Sequence, residues 1–288
     1  MKNNRYSAIV TLVLLIVATI AANYLGFRAN TDTGAIANQT FNDRSYFFPA
    51  GYVFTTIWPV IYTGIIAWAI YQALPANRDN PRFRAAAPWL IVNLVLNAVW
   101  VWVFGMQAFV STLPIIVVLL YTTIVAYRKL EIGRAAVGRW ERILQIPISI
   151  YLAWLTVATV ANVALALVAR NWNGFGISYE VWGLIILLVG VALSIFLYRG
   201  LGNDVVIPLV YVYAYIGIIV RYPDVPLVLA GAAIGAVALA ALSVYHFIGG
   251  GEARALRPAE EEGGGTRGGI RLAEHDKEQS EEDGKDCA

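Results

Sequence analysis

The sequence predicts an all-α membrane protein, a polytopic helix bundle of about eight transmembrane helices. Of its 288 residues, 59% are hydrophobic and only 14% are charged. Apolar runs of roughly 20 residues, the length that crosses a hydrocarbon core, recur along the chain. No water-soluble globular class has this composition. The prediction therefore rests on the high hydrophobic fraction and on its distribution in runs of spanning length.

The first five predicted helices form one group, within a predicted membrane domain of residues 1–170. A basic start precedes the apolar run 7–27, which we interpret as a retained span, with a cleaved signal peptide as the alternative. A long polar loop that ends in aromatic residues follows, and it could fold over the mouth of the bundle. The other four spans of this group are predicted at residues 51–74, 88–109, 110–127 and 143–168.

Three further spans are predicted in residues 171–248, namely at 181–198, 205–220 and 226–248. Residues 249–288 are of a different kind, with 6 basic and 11 acidic residues and many glycines. Such a segment has too little apolar surface to offset the entropy of ordering it. We therefore predict a disordered cytoplasmic tail after residue 248.

Several function classes are disfavoured by residues that the predicted spans lack. All four lysines lie outside them, which excludes a retinal Schiff base. The chain has two histidines and one cysteine, Cys287, so neither a bis-His haem between helices nor a disulfide within one chain can be built. No Asp or Glu lies well inside a predicted span, which disfavours a proton-coupled carrier. We expect no enzymatic activity, because no catalytic set of Ser, His and Asp or of Cys and His can be assembled.

The stretch 48–64 begins the second helix with a Pro-Ala-Gly turn and continues with aromatic residues. Trp58 and Tyr62 are four residues apart and share a helix face, and Thr55 precedes Trp58 by about one turn. A lipid-facing span needs only Leu and Ile, so this wall of rings and hydroxyls favours a binding surface. Tyr52, nearer the end, is interpreted as an interfacial anchor.

Two more helices carry buried amides beside aromatic residues. Asn93, Asn97, Trp100 and Phe104 recur on one face of the third helix, and a similar stripe on the fifth consists of Tyr151, Trp154, Ala158, Ala161 and Asn162. Amides in hydrocarbon need partners, so both stripes should point into the bundle. Two interpretations stay open: interhelical hydrogen bonds that only hold the helices together, or groups that orient a flat apolar ligand.

Three motifs, residues 48–64, Leu-Asn-Ala-Val-Trp at 96–100 and the stretch 151–162, resemble the tryptophan-rich sensory protein family. This is also known as the translocator protein or peripheral benzodiazepine receptor family. The resemblance implies a five-helix core, whose pocket is closed by the loop after the first helix. It also implies binding of tetrapyrroles such as protoporphyrin and, in animals, of cholesterol and benzodiazepine-type drugs.

The resemblance implies a ligand-binding sensor or regulator, and transport of an apolar or neutral solute is the alternative. A porphyrin or other tetrapyrrole is the expected ligand, with no covalent cofactor and no metal. Membrane lipid and a small apolar molecule are the expected partners, with no nucleic acid. Gly231-x-x-x-Gly235 predicts close helix packing within the chain, with a homodimer as the alternative. Tyr62, which shares a helix face with Trp58, is added to the pocket that the resemblance implies. The predicted site then consists of Phe54, Thr55, Ile57, Trp58, Tyr62, Asn97, Trp100, Trp154, Ala158, Ala161 and Asn162.

We predict that both termini face the cytoplasm. The N-terminus and the even-numbered loops hold 11 Lys and Arg, whereas the odd-numbered loops hold 4, and the more basic side stays inside. Reporter fusions at Asn38, Gly138 and the C-terminus should read outside, inside and inside. A C-terminal fusion that reads outside would mean that the last three spans were miscounted.

Overall fold

The computed structural model describes residues 10, 13–21, 24, 46 and 48–255, with side chains up to residue 248. These residues form helices and no strand, which confirms the predicted all-α class. The first described helical segment, α1, covers residues 13–21, and residues 10 and 24 are also helical. The remaining helices are α2 (Gly51–Ala73), α3 (Pro81–Gly105), α4 (Phe109–Lys129), α5 (Arg139–Ala169), α6 (Tyr179–Gly200), α7 (Val206–Arg221) and α8 (Pro226–Ala255).

Six of the described helices, α2 to α6 and α8, are long and apolar enough to cross a membrane. Helix α7 is also apolar but has 16 residues. At 1.5 Å per residue it is about 24 Å long, less than the roughly 30 Å of a hydrocarbon core. The chain is therefore an integral, multi-pass membrane protein, and α7 is the shortest of its apolar helices within 48–255.

Contacts divide the chain into one unit of residues 1–241 and another of residues 242–288. The first unit contains α1 to α7 and most of α8, and the second contains the last turns of α8. Helices on both sides of residue 170 pack together within the first unit. The division into functional domains at residue 170 stays a prediction.

Two predicted helix boundaries were wrong by about two turns. The third helix begins at Pro81 and not at residue 88, because the Asn80 side chain accepts a hydrogen bond from the Arg82 backbone at 3.0 Å. Pro88 lies inside the helix, where membrane helices tolerate proline. Arg82 and Arg84 are therefore helical and not in a loop.

At the C-terminal end, α8 continues past residue 248 to Ala255. The expectation of disorder from residue 249 was therefore wrong for residues 249–255, where the last helix still provides backbone hydrogen bonding. The rest of the predicted tail, residues 256–288, lies outside the described residues.

Helices α2 and α5 approach each other closely at Gly64. A Cβ atom built on Gly64 would lie 2.1 Å from both Cβ and Cγ of Pro147. No side chain fits there, so the contact between these two helices depends on this glycine.

Helix α7 is held against α2 and α5 by backbone and hydroxyl contacts. The Ala50 backbone N–H donates to the Gly217 carbonyl at 3.0 Å. The hydroxyls of Thr156 and Tyr211 lie 2.6 Å apart, and those of Thr56 and Tyr213 are also hydrogen-bonded. These bonds join residues on the two sides of residue 170.

Glycines bring α8 close to α6 and α7, which confirms that Gly231-x-x-x-Gly235 packs within the chain. A Cβ on Gly231 would lie 2.6 Å from Leu184 Cδ1, and one on Gly235 would lie 2.5 Å from Tyr215 Cε2. Whether the chain also forms a homodimer is a separate question, which stays a prediction.

Gly64→Ala tests the contact between α2 and α5. The added methyl would overlap Pro147, so the substitution should lower the free energy of unfolding by about 1–3 kcal/mol. The measurement is thermal or denaturant unfolding of the purified protein in detergent.

The matched control is Gly200→Ala at the end of α6, where a Cβ would meet nothing within 4 Å. It should leave stability unchanged or raise it slightly. Equal effects of the two substitutions would contradict the close approach at Gly64.

Candidate functional site

The predicted site residues meet where α2, α3 and α5 pack together. Trp58 of α2 is half-buried at their centre, and its ring stacks on Tyr62 at 5.5 Å with an interplanar angle of 22°. The Trp100 ring of α3 lies 6.1 Å away and the Tyr151 ring of α5 lies 6.2 Å away. We call Trp58, Tyr62, Trp100 and Tyr151 the aromatic cluster.

A second group of rings continues this wall toward the N-terminal end of α2. Phe54 stacks on Phe48 at 4.9 Å and meets the edge of Trp154 at 5.2 Å. All three side chains are buried, and Trp154 is 0% exposed. Helices α2 and α5 therefore each contribute rings to both groups, since Phe54 and Trp58 are one turn apart on α2 and Tyr151 and Trp154 one turn apart on α5.

Asn93 uses its amide to connect three helices. Its Nδ2 lies 2.8 Å from the Leu119 carbonyl and from the hydroxyls of Thr122 and Thr123 on α4. Its Oδ1 accepts from the Tyr151 hydroxyl of α5 at 2.7 Å. Because an amide group has only two N–H hydrogens, these acceptors occupy it fully. Asn93 therefore matches the structural interpretation, interhelical hydrogen bonding.

Asn162 is also paired, at the other end of the same interface. Its Oδ1 accepts from Trp100 Nε1 at 3.2 Å and from the Thr112 hydroxyl at 2.8 Å. Its Nδ2 donates to the Ala158 carbonyl one turn earlier at 2.8 Å. Asn162 thus ties α5 to both α3 and α4.

Asn97 and Trp154 differ from these two amides, because each has a buried N–H group without a partner. Among the described residues Trp68, Gln72, Arg82 and Ser194 also have such an atom, but these four are not among the predicted site residues. The Oδ1 of Asn97 accepts from the Tyr62 hydroxyl at 2.7 Å, but its Nδ2 makes no hydrogen bond. Trp154 Nε1 is likewise buried and unpaired. An unpaired buried donor costs about 1–3 kcal/mol, so both positions favour a molecule that carries acceptors.

Ten of the eleven predicted residues lie in this region, and one lies apart from it. Phe54, Ile57, Tyr62, Asn97, Trp100, Trp154, Ala158, Ala161 and Asn162 are buried, and Trp58 is half-buried. Thr55 is exposed, and its hydroxyl donates to the Tyr52 carbonyl on its own helix at 3.1 Å. Thr55 was predicted in the pocket, but the structure leaves it exposed and outside the buried residues of α2.

The sequence interpretation missed an ion pair between a half-buried arginine and a buried glutamate. Arg82 Nη2 lies 2.8 Å from Glu141 Oε1, and Gln145 Nε2 donates to the same oxygen at 3.2 Å. Both charged residues had been assigned to loops, yet they lie in the first turns of α3 and α5. Among the described residues, no group of three His, Cys, Asp and Glu is placed to hold a metal ion.

A half-buried arginine at the end of α7, Arg221, contacts Phe48 of this second group of rings. The Arg221 guanidinium lies 5.9 Å from the centre of the Phe48 ring and 5.2 Å from that of Tyr222, and it donates to the Pro49 carbonyl at 3.4 Å. Burial raises the pKa of Tyr222 to about 12, so its hydroxyl stays neutral at physiological pH. In the sequence, Arg221 was counted only as one of the four basic residues of the odd-numbered loops, so its contact with Phe48 was not predicted.

Comparison with known families adds one finding. A family model described as TSPO-like protein matches residues 5–245. The last three helices begin inside this match, which has no break at residue 170. The expected five-helix family core with three additional helices is therefore not confirmed. Comparisons with curated proteins and with solved structures give no significant match.

Asn93→Leu should destabilise the bundle by about 1–3 kcal/mol, because Tyr151 and the α4 hydroxyls lose their partner in a buried place. Thermal unfolding in detergent measures this effect. The control is Thr159→Val, since that hydroxyl bonds only to the Leu155 carbonyl of its own helix. An Asn93→Leu protein as stable as the control would show that these hydrogen bonds do not hold the helices together.

Proposed function

This chain belongs to the TSPO-like protein family, and on that premise we propose that it binds a flat, mostly apolar ligand of the tetrapyrrole class. In this role the membrane protein acts as a sensor or regulator, whose helix packing responds to the ligand. The single observation that supports the proposal best is the pair of unpartnered donors, Asn97 Nδ2 and Trp154 Nε1, among aromatic rings.

The chemistry of a porphyrin complements this arrangement. Its faces are apolar π-systems that can stack on indole and phenol rings such as those of Trp58 and Tyr62. The carboxylates at its rim are acceptors, which the two unpartnered N–H groups can satisfy. Pockets of this kind are mainly apolar, with a few polar groups that fix the orientation of the ligand.

The wall of rings must rearrange when such a ligand enters. Phe54 and Trp154 are in contact and buried, and Phe48 stacks on Phe54. Displacement of Phe48 would weaken its contact with Arg221 at the end of α7. Ligand binding would thereby be coupled to the last three helices, which is how a sensor can transmit occupancy.

Transport of an apolar or neutral solute is the second candidate, and the Arg82–Glu141 pair favours it. Buried ionisable groups in membrane helices are costly and often mark a solute path. This pair lies on α3 and α5, the helices that also carry Asn97 and Trp154. Flux of porphyrin into vesicles that is abolished by Glu141→Gln, with equilibrium binding unchanged, would favour a transporter over a sensor.

A porphyrin should quench the tryptophan fluorescence of the purified protein saturably. Trp154→Leu keeps the site apolar but removes a stacking surface, so binding should weaken by about 0.5–1.5 kcal/mol. Quenching that does not saturate and is unaffected by Trp154→Leu would indicate partition of the dye into detergent, and would overturn the proposal.

Asn97→Leu separates the structural from the ligand-binding interpretation of this amide. Because Asn97 Oδ1 accepts from the Tyr62 hydroxyl, Asn97→Leu should lower the melting temperature in either case. If Asn97 also donates to the ligand, the affinity of the folded protein falls as well; if it bonds only to Tyr62, the folded protein binds as before. Tyr52→Phe is the control, because Tyr52 is exposed on α2 and away from the rings; it should change neither quantity.

A further inference from the structure

An apolar cleft of about 190 Å³ lies between α5 and α6, outside the aromatic cluster. Its inner walls are aliphatic and include Val160, Ala164 and Ile186. An apolar cavity of about 150 Å³ stays free of water and accepts a benzene-sized molecule. This cleft is therefore large enough for part of an apolar ligand and too apolar to hold water.

The outer rim of the cleft changes to aromatic residues. Trp172, Tyr179 and Trp182 are half-buried there, and the two indole rings lie 5.1 Å apart. Trp182 donates its N–H to the Gly174 carbonyl at 2.9 Å, so this indole has no free donor. Trp and Tyr are typical of the level at which a bilayer changes from acyl chains to headgroups.

The turn beside the rim presents a phenyl ring outward. Phe175 is 78% exposed although its φ is +56°, a conformation unusual for a side chain of this size. The Asn173 side chain accepts from the Phe175 backbone at 3.1 Å, and glycines flank the residue on both sides. The turn thus holds an apolar ring at the depth of the rim.

A positive charge lies next to the cleft in the chain. Arg170 is the exposed C-cap residue of α5 and lies between Val168 and Trp172, which both line the cleft. The aliphatic wall is therefore followed by a turn that contains both a cation and the aromatic rim. A phospholipid likewise carries its phosphate close to the glycerol region, at the end of the acyl chains.

We propose that the cleft binds one acyl chain of a phospholipid, whose phosphate pairs with Arg170. The site is distinct from the tetrapyrrole site, where Trp154 and Asn97 have free donors for a polar acceptor. A lipid acyl chain has no such acceptor and needs none here, since the Trp182 N–H is already bonded. Because the bilayer surrounds α5 and α6, this occupant is present wherever the protein is inserted.

A phosphatidylglycerol with a photoactivatable group in its acyl chain tests the proposal. The full-length protein is reconstituted into phosphatidylcholine vesicles that contain this probe, and labelled peptides are mapped by mass spectrometry. Label should concentrate in residues 160–186. Ala164→Phe fills the cleft and should reduce that label several-fold, whereas Ala238→Phe, at an exposed position of α8, should not.

Arg170→Gln tests the headgroup contact separately. It should reduce the preference for phosphatidylglycerol over phosphatidylcholine about fivefold, the effect of one cation near an anionic lipid. Label spread evenly over the lipid-facing helices of the wild-type protein would overturn the proposal, even if Ala164→Phe failed to fold. Displacement of the label by protoporphyrin would also overturn it, because the cleft would then belong to the flat ligand.

Discussion

The structure depends on one constraint: polar side chains between helices in a bilayer must find their partners inside the bundle. Asn93 and Asn162 meet it fully, with hydrogen bonds that join α3, α4 and α5 at two levels. These three helices are thereby fixed relative to one another, and the aromatic cluster is built on that frame. Asn97 and Trp154 each keep an unpaired N–H in the same frame, and this difference is the basis of the proposed ligand site.

The last three helices belong to the same frame through small residues and hydroxyl groups. Gly217 lets α7 approach Val53 of α2 and Pro49, which precedes that helix. A Cβ built on Gly217 would lie 2.5 Å from Val53 Cγ2. The Thr156–Tyr211 contact joins α7 to α5 in the turn after Trp154. These contacts join α7 directly to α2 and α5, and the proposed sensing role would use them as its physical route.

Much of this architecture could be predicted from apolar length and helical periodicity. The stripes that contain Asn97 and Trp154 were both predicted to face inward, since an amide or a series of small residues at that spacing has no place against lipid. The exposure of Thr55 could not be predicted, because the angle of a residue around its helix does not show whether a neighbouring helix covers it. Its hydroxyl bonds to the local carbonyl of Tyr52. The N-terminal extensions of α3 and α5 were not predicted, because Arg82 and Glu141 resemble loop charges in the sequence. The ion pair between them offsets the cost of removing these two charges from water.

Hydrogen-bond saturation could not be predicted from the sequence, because it depends on which helix lies opposite each amide. Asn93 and Asn97 occupy the same face one turn apart, yet only Asn93 lies opposite the α4 hydroxyls of Thr122 and Thr123. The α5–α6 cleft was missed for a similar reason. Trp172 and Trp182 are ten residues apart and come together through the turn that contains Gly174.

The most direct test of the central claim is a ¹⁵N-indole spectrum of the full chain, recorded with and without protoporphyrin and assigned with single-tryptophan variants. The Trp154 indole N–H should shift as it gains an acceptor, whereas Trp100, already bonded to Asn162, should keep its hydrogen-bonded position. Trp68 is an internal reference, because its N–H is also buried and unpaired but lies about 15 Å along α2 from Trp58. A Trp154 resonance that stays in place, or that moves no more than that of Trp68, would contradict the claim that its free N–H is part of a ligand site.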